Sequence, residues 1–453
     1  VRGAEAARRD RALTATSIWK GARLGMDSPN FVIIVIDDMG WRDLGCYGSS
    51  FHLTPNIDRL AAQGMRFTDA YAAAPVCSPT RASIMTGCYP ARLHLTDWIP
   101  GYVRPGEKLL NPEWSPRLPA GQATIATVLA RHGYLTASIG KWHLDGTPLD
   151  HGFAEASLYR KIQSHFYPYY SEPPQIEGQD GEYFADRLTD EALAFIRENR
   201  CRPFLLYLGH NGVHRPLQAR EAAIDRYRRR IQPGDPQNNP IYAAMVESID
   251  DSAGRVMAAL DEAGIADNTV VVFVSDNGGL AKAYNGQIVT SNEPLRQGKG
   301  TLYEGGIRVP LIVRYPAAVQ PASVTTVPVS TVDFLPTVAA LAGVPHEMRP
   351  QCDGENIEPV LCGAGELKRK ALYWHYPHYH ECAPCGAIRQ GDEKLVEYFE
   401  DGRVELYNLR TDMAEANDLN SAEPARAGEL RQALHDWRAS VGAQMPVPAP
   451  RDG

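Results

Sequence analysis

Cys77-Ser78-Pro79-Thr80-Arg81 places a thiol two residues before a proline and four before an arginine. The thiol is a potential nucleophile, and Pro79 fixes the turn that follows it. Ala82 to Met85 can start a helix whose free amides face an anion. Arg81 then directs a guanidinium toward whatever Cys77 attacks. A run this short arises easily by chance, and alone it reads as well as a buried structural thiol. Its weight comes from partners elsewhere in the chain.

Two acidic pairs are the first of these. Asp37-Asp38 closes the apolar run Phe31 to Ile36, and Asp276-Asn277-Gly278-Gly279 closes Val270 to Val274. If both runs are neighbouring parallel strands, the pairs meet at their carboxyl ends, where open α/β sheets bind ligands. Either pair alone is more often a cap. Three carboxylates packed together repel unless a cation holds them, and an oxygen-only set suits Ca²⁺ or Mg²⁺ better than zinc. Gly140-Lys141-Trp142-His143 follows another short strand and sets an ammonium and an imidazole two residues apart, on one side if the chain stays extended. His214 and His210 compete within Gly209-His210-Asn211-Gly212-Val213-His214-Arg215-Pro216, and Lys299 sits in a glycine-rich run from Leu295 to Pro310.

The elements that must hold these groups form an α/β pattern. Strand-like runs at Phe31 to Ile36, Thr136 to Ile139, Phe204 to Leu208, Val270 to Val274 and Leu311 to Val313 alternate with helical stretches. This predicts a large, mostly parallel sheet sandwiched by helices. Ile125, Val128 and Leu129 mark one apolar helical face, and Met245, Ile249, Val256 and Leu260 another. Segments 98–121, 159–181 and 210–240, without a clean period, read as long loops over the sheet's carboxyl edge. Beyond Leu341, short strands near Ala371 to Trp374, Ala387 to Gln390, Lys394 to Tyr398 and Val404 to Asn408 precede a helix at Pro424 to Val441, which predicts a small C-terminal antiparallel sheet with one helix. The expected division is a leader at 1–25, a catalytic α/β domain at 26–364, an α+β subdomain at 365–445 and a tail at 446–453.

Pro75 to Gly87, with Gly140-Lys141-Trp142-His143-Leu144 and Leu295 to Pro310, resembles the signatures of type I sulfatases of the alkaline phosphatase superfamily. The likeness extends from about Asn30 to Leu419, where Glu405 to Glu415 is similar to the family's C-terminal segment. The resemblance implies that Cys77 is oxidised to formylglycine by a formylglycine-generating enzyme and that the hydrated aldehyde is the nucleophile. It implies calcium, with magnesium as the alternative, on Asp37, Asp38, Asp276, Asn277 and the modified residue 77. Lys141 would steady the nucleophile, and His143 would take a proton from the hemiester so that sulfate leaves. His214 and Lys299 would bind the sulfate and leaving oxygen, with His214 as general acid. The chain departs from the family pattern at Asp145, where glycine is usual, and at Val213, where proline is. Aspartate tolerates a left-handed backbone better than most residues, so a local adjustment with retained activity is expected at Asp145.

A net charge of −8 argues against a nucleic-acid surface and requires any anion attraction to be focal. The longest apolar runs are far short of the ~20 residues of a membrane span. Eight scattered cysteines do not form a disulfide framework, and Cys382-Ala383-Pro384-Cys385 reads as a loop with two thiols. Residues 1–25 carry Arg8-Arg9 without the apolar segment of an export signal, so Met26 is a candidate start and the cytoplasm the expected compartment, with the periplasm as alternative. Trp98, Tyr102, Trp374, His375, Tyr376, His378, Tyr379 and His380 combine flat faces with polar edges and favour a sulfated sugar over an aryl sulfate, against the alternative of packing between domains. A phosphodiesterase or phosphonate monoester hydrolase on the same scaffold is the rival activity.

Overall fold

Asn30–Ile36 (β1) is buried along its whole length, and its side chains alternate between two apolar layers. Val32, Ile34 and Ile36 enter one layer while Phe31, Ile33 and Val35 enter the other. A strand covered on both faces is the centre of a sandwich. The computed structural model describes residues 28–172, 175–363 and 365–450; the leader 1–25 and Met26 lie outside the described residues.

Seven further strands complete this sheet: Met65–Phe67 (β2), Leu135–Gly140 (β3), Glu155–Ser157 (β4), Phe204–Gly209 (β5), Thr269–Ser275 (β6), Leu311–Arg314 (β7) and Ser323–Thr325 (β8). Their order is β8-β2-β7-β6-β1-β5-β3-β4. All neighbours are parallel except β7, which runs antiparallel to β6 and β2. The five strands expected from sequence are present, and Ile36 stands opposite Ser275 in the register, so residues 37 and 276 leave the sheet side by side.

Helices cover both faces. Pro55–Gln63 (α1), Phe184–Asn199 and Pro240–Glu262 supply buried residues to the layer of Ile34, and Cys77–Thr86, Ile125–Ala130 and Phe334–Leu341 supply them to that of Ile33. The helix after the cysteine begins at Cys77 itself rather than at Ala82. Pro79 therefore lies in its first turn, where a missing N–H removes no intrahelical bond. Segment 210–240 contains a helix, Glu221–Arg228, because Ile224 and Tyr227, three residues apart, bury one face.

A second, four-stranded antiparallel sheet comprises Leu372–Tyr376, Cys385–Gln390, Glu393–Tyr398 and Val404–Asn408, in that order. The helix Pro424–Val441 packs on it through Leu430 and Leu434. A buried charge network ties this layer to the first: Lys394 Nζ lies 2.8 Å from both Glu304 Oε1 and Glu415 Oε1, and Arg389 and Arg308 share Asp69. The expected tail is not free, since Val447–Pro448 pairs with Leu109–Leu110 of segment 98–121. No helix among the described residues is long and apolar enough to cross a membrane.

Candidate active site

The carboxyl ends of β1, β6, β3 and β5 meet at one edge. Asp37 and Asp38 follow β1, and Asp276, whose N–H donates to Ile36 O (3.0 Å), follows β6. Ligand atoms of Asp37, Asp38, Cys77 and Asp276 lie within 4.8 Å of one another, all buried. Cys77 Sγ is 3.3 Å from Asp37 Oδ1 and 4.0 Å from Asp38 Oδ1. The turn at Asp276 fits only because Gly278 has no side chain: a Cβ there would stand 1.8 Å from Gly305 O.

Cations answer these acids one by one. Lys141 Nζ pairs with Asp37, and Lys299 Nζ lies 2.6 and 2.7 Å from the two oxygens of Asp38 and 3.7 Å from Cys77 Sγ. Arg81 Nε donates to Asp276 Oδ2 (2.8 Å) and Nη1 to Lys141 O (2.7 Å) and Tyr207 Oη (3.2 Å), while Nη2 is buried without a partner. The acids are not equivalent. Burial opposes ionisation of all three, yet Lys141, His214, Arg81 and Lys299 hold Asp37 well below the usual carboxylate range, and Lys299 and His214 lower Asp38. At Asp276 burial prevails over Arg81 and the pKa rises to about 6. Burial and the Asp37 charge push the Cys77 thiol up, so the unmodified thiol is a poor nucleophile here.

Each imidazole is oriented by a backbone carbonyl. His214 Nδ1–H donates to Arg215 O (2.6 Å), leaving Nε2 3.7 Å from Asp38 Oδ2. His143 Nε2–H donates to Ile99 O (2.7 Å), leaving a buried Nδ1 without a partner. Burial, helped by Lys299 at His214 and by Lys141 at His143, lowers both pKa values. His210 does not compete, because it is fully buried and bonds Ser252 Oγ at 3.0 Å. The chain is not extended between Lys141 and His143: His143 has φ 58°, yet both residues line the same cavity. The positive-φ residues of segment 140–146 are Gly140, His143 and Gly146, not Asp145, whose carboxylate instead accepts from Leu118 N (3.0 Å).

This cavity of about 600 Å³ opens over Cys77 and is walled by Trp98, Tyr159, His165, Asn211 and His380. Of the eight aromatic and histidine residues expected to form a sugar rim, only Trp98 and His380 line it. Trp374 packs edge-on against Tyr71, Tyr376 Oη donates to Asp97 and Tyr379 Oη to Glu400; His375 and His378 are buried, and Tyr102 is exposed elsewhere. For the five buried ones the packing alternative holds, and Tyr102 neither packs nor lines the cavity.

Sequence reasoning missed the groups behind the acids. Tyr242 Oη donates to Asp43 Oδ2 (2.5 Å) and lies 3.3 Å from Asp38 O, and Asp43 Oδ2 also accepts from Gly40 N (2.7 Å). Asp38 itself has φ 63°, so this network supports a strained backbone. No local signal marks Tyr242, which lies about two hundred positions from its partners.

The donor set fits a hard divalent cation. Asn277 Nδ2 donates to Asp38 Oδ1 (2.9 Å) and Gly278 O (3.0 Å), which leaves Oδ1 a buried oxygen with no hydrogen-bond partner. Three carboxylates and an orphaned amide oxygen are oxygen ligands of the kind Ca²⁺ and Mg²⁺ take.

A sheet edge that gathers a cysteine at a helix start, acids and lysines is where an α/β hydrolase would bind an anionic ester. The sulfatase family matches residues 29–344, and the C-terminal family of N-sulphoglucosamine sulphohydrolase matches residues 297–440. The chain is 31% identical to a sulfatase of Formosa agariphila, over 90% of this chain and 88% of that one. It is 31% identical to human arylsulfatase A (83% and 75% covered) and 33% identical to human N-acetylgalactosamine-6-sulfatase (78% and 70%). Among solved structures, Ps i-CgsB in complex with k-i-k-neocarrahexaose superposes with a TM-score of 0.78 at 29% identity, covering 91% of this chain and 93% of that one. The chain belongs to the sulfatase family, and its activity is hydrolysis of sulfate esters.

Proposed function

We propose that the protein removes sulfate from a saccharide hydroxyl, using a formylglycine made from Cys77 by a formylglycine-generating enzyme and a Ca²⁺ held by Asp37, Asp38, Asp276 and Asn277. The observation that carries this reading is the convergence on residue 77 of three carboxylates, Lys299 at 3.7 Å and the Arg81 helix. A formylglycine at position 77 would supply, as its hydrate, the attacking oxygen, and a cation held by these residues would supply positive charge to the sulfate.

The chain's own groups do the remainder. Lys141 and Lys299, which line the cavity, are fixed by ion pairs before substrate arrives, so they meet the charge that grows on the sulfate oxygens without reorganising; Arg81, expected from sequence to point at the attacked group, is instead fully buried on Asp276, Lys141 O and Tyr207 and does not line the cavity. Each such preorganised charge in a desolvated site is worth roughly 3–4 kcal/mol of barrier. His214, when protonated also at Nε2, would give that proton to the alkoxide leaving sulfur, and His143, free at Nδ1, would take the proton of the hydroxyl remaining on residue 77 as the C–O bond to sulfate breaks and the carbonyl returns. Trp98 and His380 at the mouth, together with relatives named for N-acetylgalactosamine 6-sulfate and bound to a neocarrahexaose, support a saccharide as the carrier.

The test has two parts. Mass measurement of the Cys77 peptide reports conversion of thiol to aldehyde, and Cys77→Ala is expected to abolish turnover of every sulfate ester. Release of sulfate from sulfated monosaccharides is then compared with release from aryl sulfates and matched phosphate esters. Rapid hydrolysis of aryl sulfates with none from sugars would overturn the saccharide assignment, and faster phosphate ester cleavage would favour the rival hydrolase.

A further inference from the structure

The cations of the cavity divide into two groups. Lys141 and Lys299 pair with Asp37 and Asp38, and Lys282 pairs with Glu381, while Arg81, fully buried on Asp276, does not line the cavity. Arg160, Lys161 and Arg215 line the same cavity and have no ion pair among the described residues. Only Glu172 brings an unpaired acid to this wall, and with a net charge of −8 overall the local excess of positive charge runs against the molecule's balance.

These cations are held in place. Arg160 Cζ stacks 5.0 Å from the Tyr159 ring centroid and Arg215 Cζ 5.8 Å from that of Tyr284. A cation over an aromatic face is attracted to it without spending its N–H donors, which stay open to sulfate or carboxylate. The segment carrying Arg160 and Lys161 is anchored by buried Ile162 and by Glu172 N–H donating to Lys161 O (3.2 Å). His165 Nε2 bonds His214 O (3.1 Å), which ties that segment to Arg215. All three cations thus belong to one wall, beside the imidazole assigned to the leaving group.

Resting on the sulfatase reading, we propose that this wall binds a second anionic group on the leaving alcohol, so that the preferred substrate is a saccharide carrying one ester sulfate to be cleaved and a further sulfate or carboxylate to be held. No bond changes at the second group. Its contribution is a set of charge-assisted hydrogen bonds, strong in geometry but partly screened because Lys161 and Arg215 are exposed.

The experiment uses full-length protein in which mass measurement has shown residue 77 to be the aldehyde. Values of kcat/KM are measured on a monosulfated saccharide, on the same saccharide with a second sulfate, on the same saccharide with a carboxylate, and on 4-nitrophenyl sulfate. The wild type is expected to favour a doubly anionic saccharide by roughly tenfold or more, carried mainly in KM and diminishing with salt. Arg160→Gln and Arg215→Gln are each expected to reduce that preference several-fold, and the double variant to bring it close to one. The larger response, to sulfate or to carboxylate, identifies the second group. Equal rates on singly and doubly anionic sugars, or equal losses by the variants on 4-nitrophenyl sulfate and on the doubly anionic sugar, would overturn the second-anion site while leaving the sulfatase reading intact. No turnover of any sulfate ester by the aldehyde form would overturn both.

Discussion

Replacing His214 with glutamine removes a proton donor while keeping a polar side chain of similar length. The imidazole is held by its Nδ1–H on Arg215 O (2.6 Å), and its free Nε2 lies 3.7 Å from the Asp38 carboxylate. A donor so placed protonates the departing oxygen, an effect worth about 10²- to 10⁴-fold, or roughly 3–5.5 kcal/mol of barrier. That contribution is needed only when the departing oxygen is basic. His214→Gln is therefore expected to lower kcat/KM on a sugar sulfate by about 10²-fold or more, and on 4-nitrophenyl sulfate by far less. The pH profile should change as well. Burial and Lys299 lower the His214 pKa, so the wild-type rate on sugars falls as pH rises through that value, and the variant should lose this dependence. Stopped assays with both esters across pH, corrected for folded fraction, give the comparison. Equal losses on the two esters would refute general-acid catalysis and leave His214 as a sulfate-binding group. His210→Gln, which breaks a buried bond to Ser252, should cost stability without producing the ester-dependent split.

Tyr242→Phe removes the hydroxyl shared between Asp43 and Asp38 O, and Ca²⁺ affinity measured by calorimetry on metal-stripped protein should fall roughly tenfold. Lys394→Met leaves Glu415 with no cation inside the protein, beside a Glu304 that keeps Arg308 and Tyr71, so denaturant unfolding should show a loss of about 3–5 kcal/mol; a loss below 1 kcal/mol would mean that the network does not hold the two layers together. Burial, with His375 adding to it, lowers His378 to about 3. The unfolded chain thus takes up a proton near pH 6.5 that the native state refuses, and the stability this group contributes above that pH is lost as pH falls toward 3. His378→Gln should flatten the acid side of the stability curve by up to about 1.4 kcal/mol per pH unit, read from denaturation midpoints at pH 7, 6 and 5.

What could be read from the chain and what could not divides along a physical line. The five strands recognised in advance are buried apolar runs, so their identity is written in consecutive residues, and a residue that ends such a strand is placed by the strand itself. This is why Asp37, Asp38, Asp276 and Asn277 were legible as a cluster: the register that sets Ile36 opposite Ser275 carries both pairs to one edge. Met65–Phe67, Glu155–Ser157 and Ser323–Thr325 have three residues each and mixed exposure, and only a neighbouring edge makes them strands. The aromatic cluster around Trp374 failed as a rim for a related reason. Composition gives residue type but not facing, and the strand Leu372–Tyr376 is buried against Tyr71 on one side and under the Pro424–Val441 helix on the other. Supporting groups such as Tyr207, Asp43 and Tyr242 reach their partners over separations of 126 to 204 residues. A catalytic side chain at a strand end announces itself through local chemistry, whereas the residue that keeps it in place is defined by tertiary packing alone.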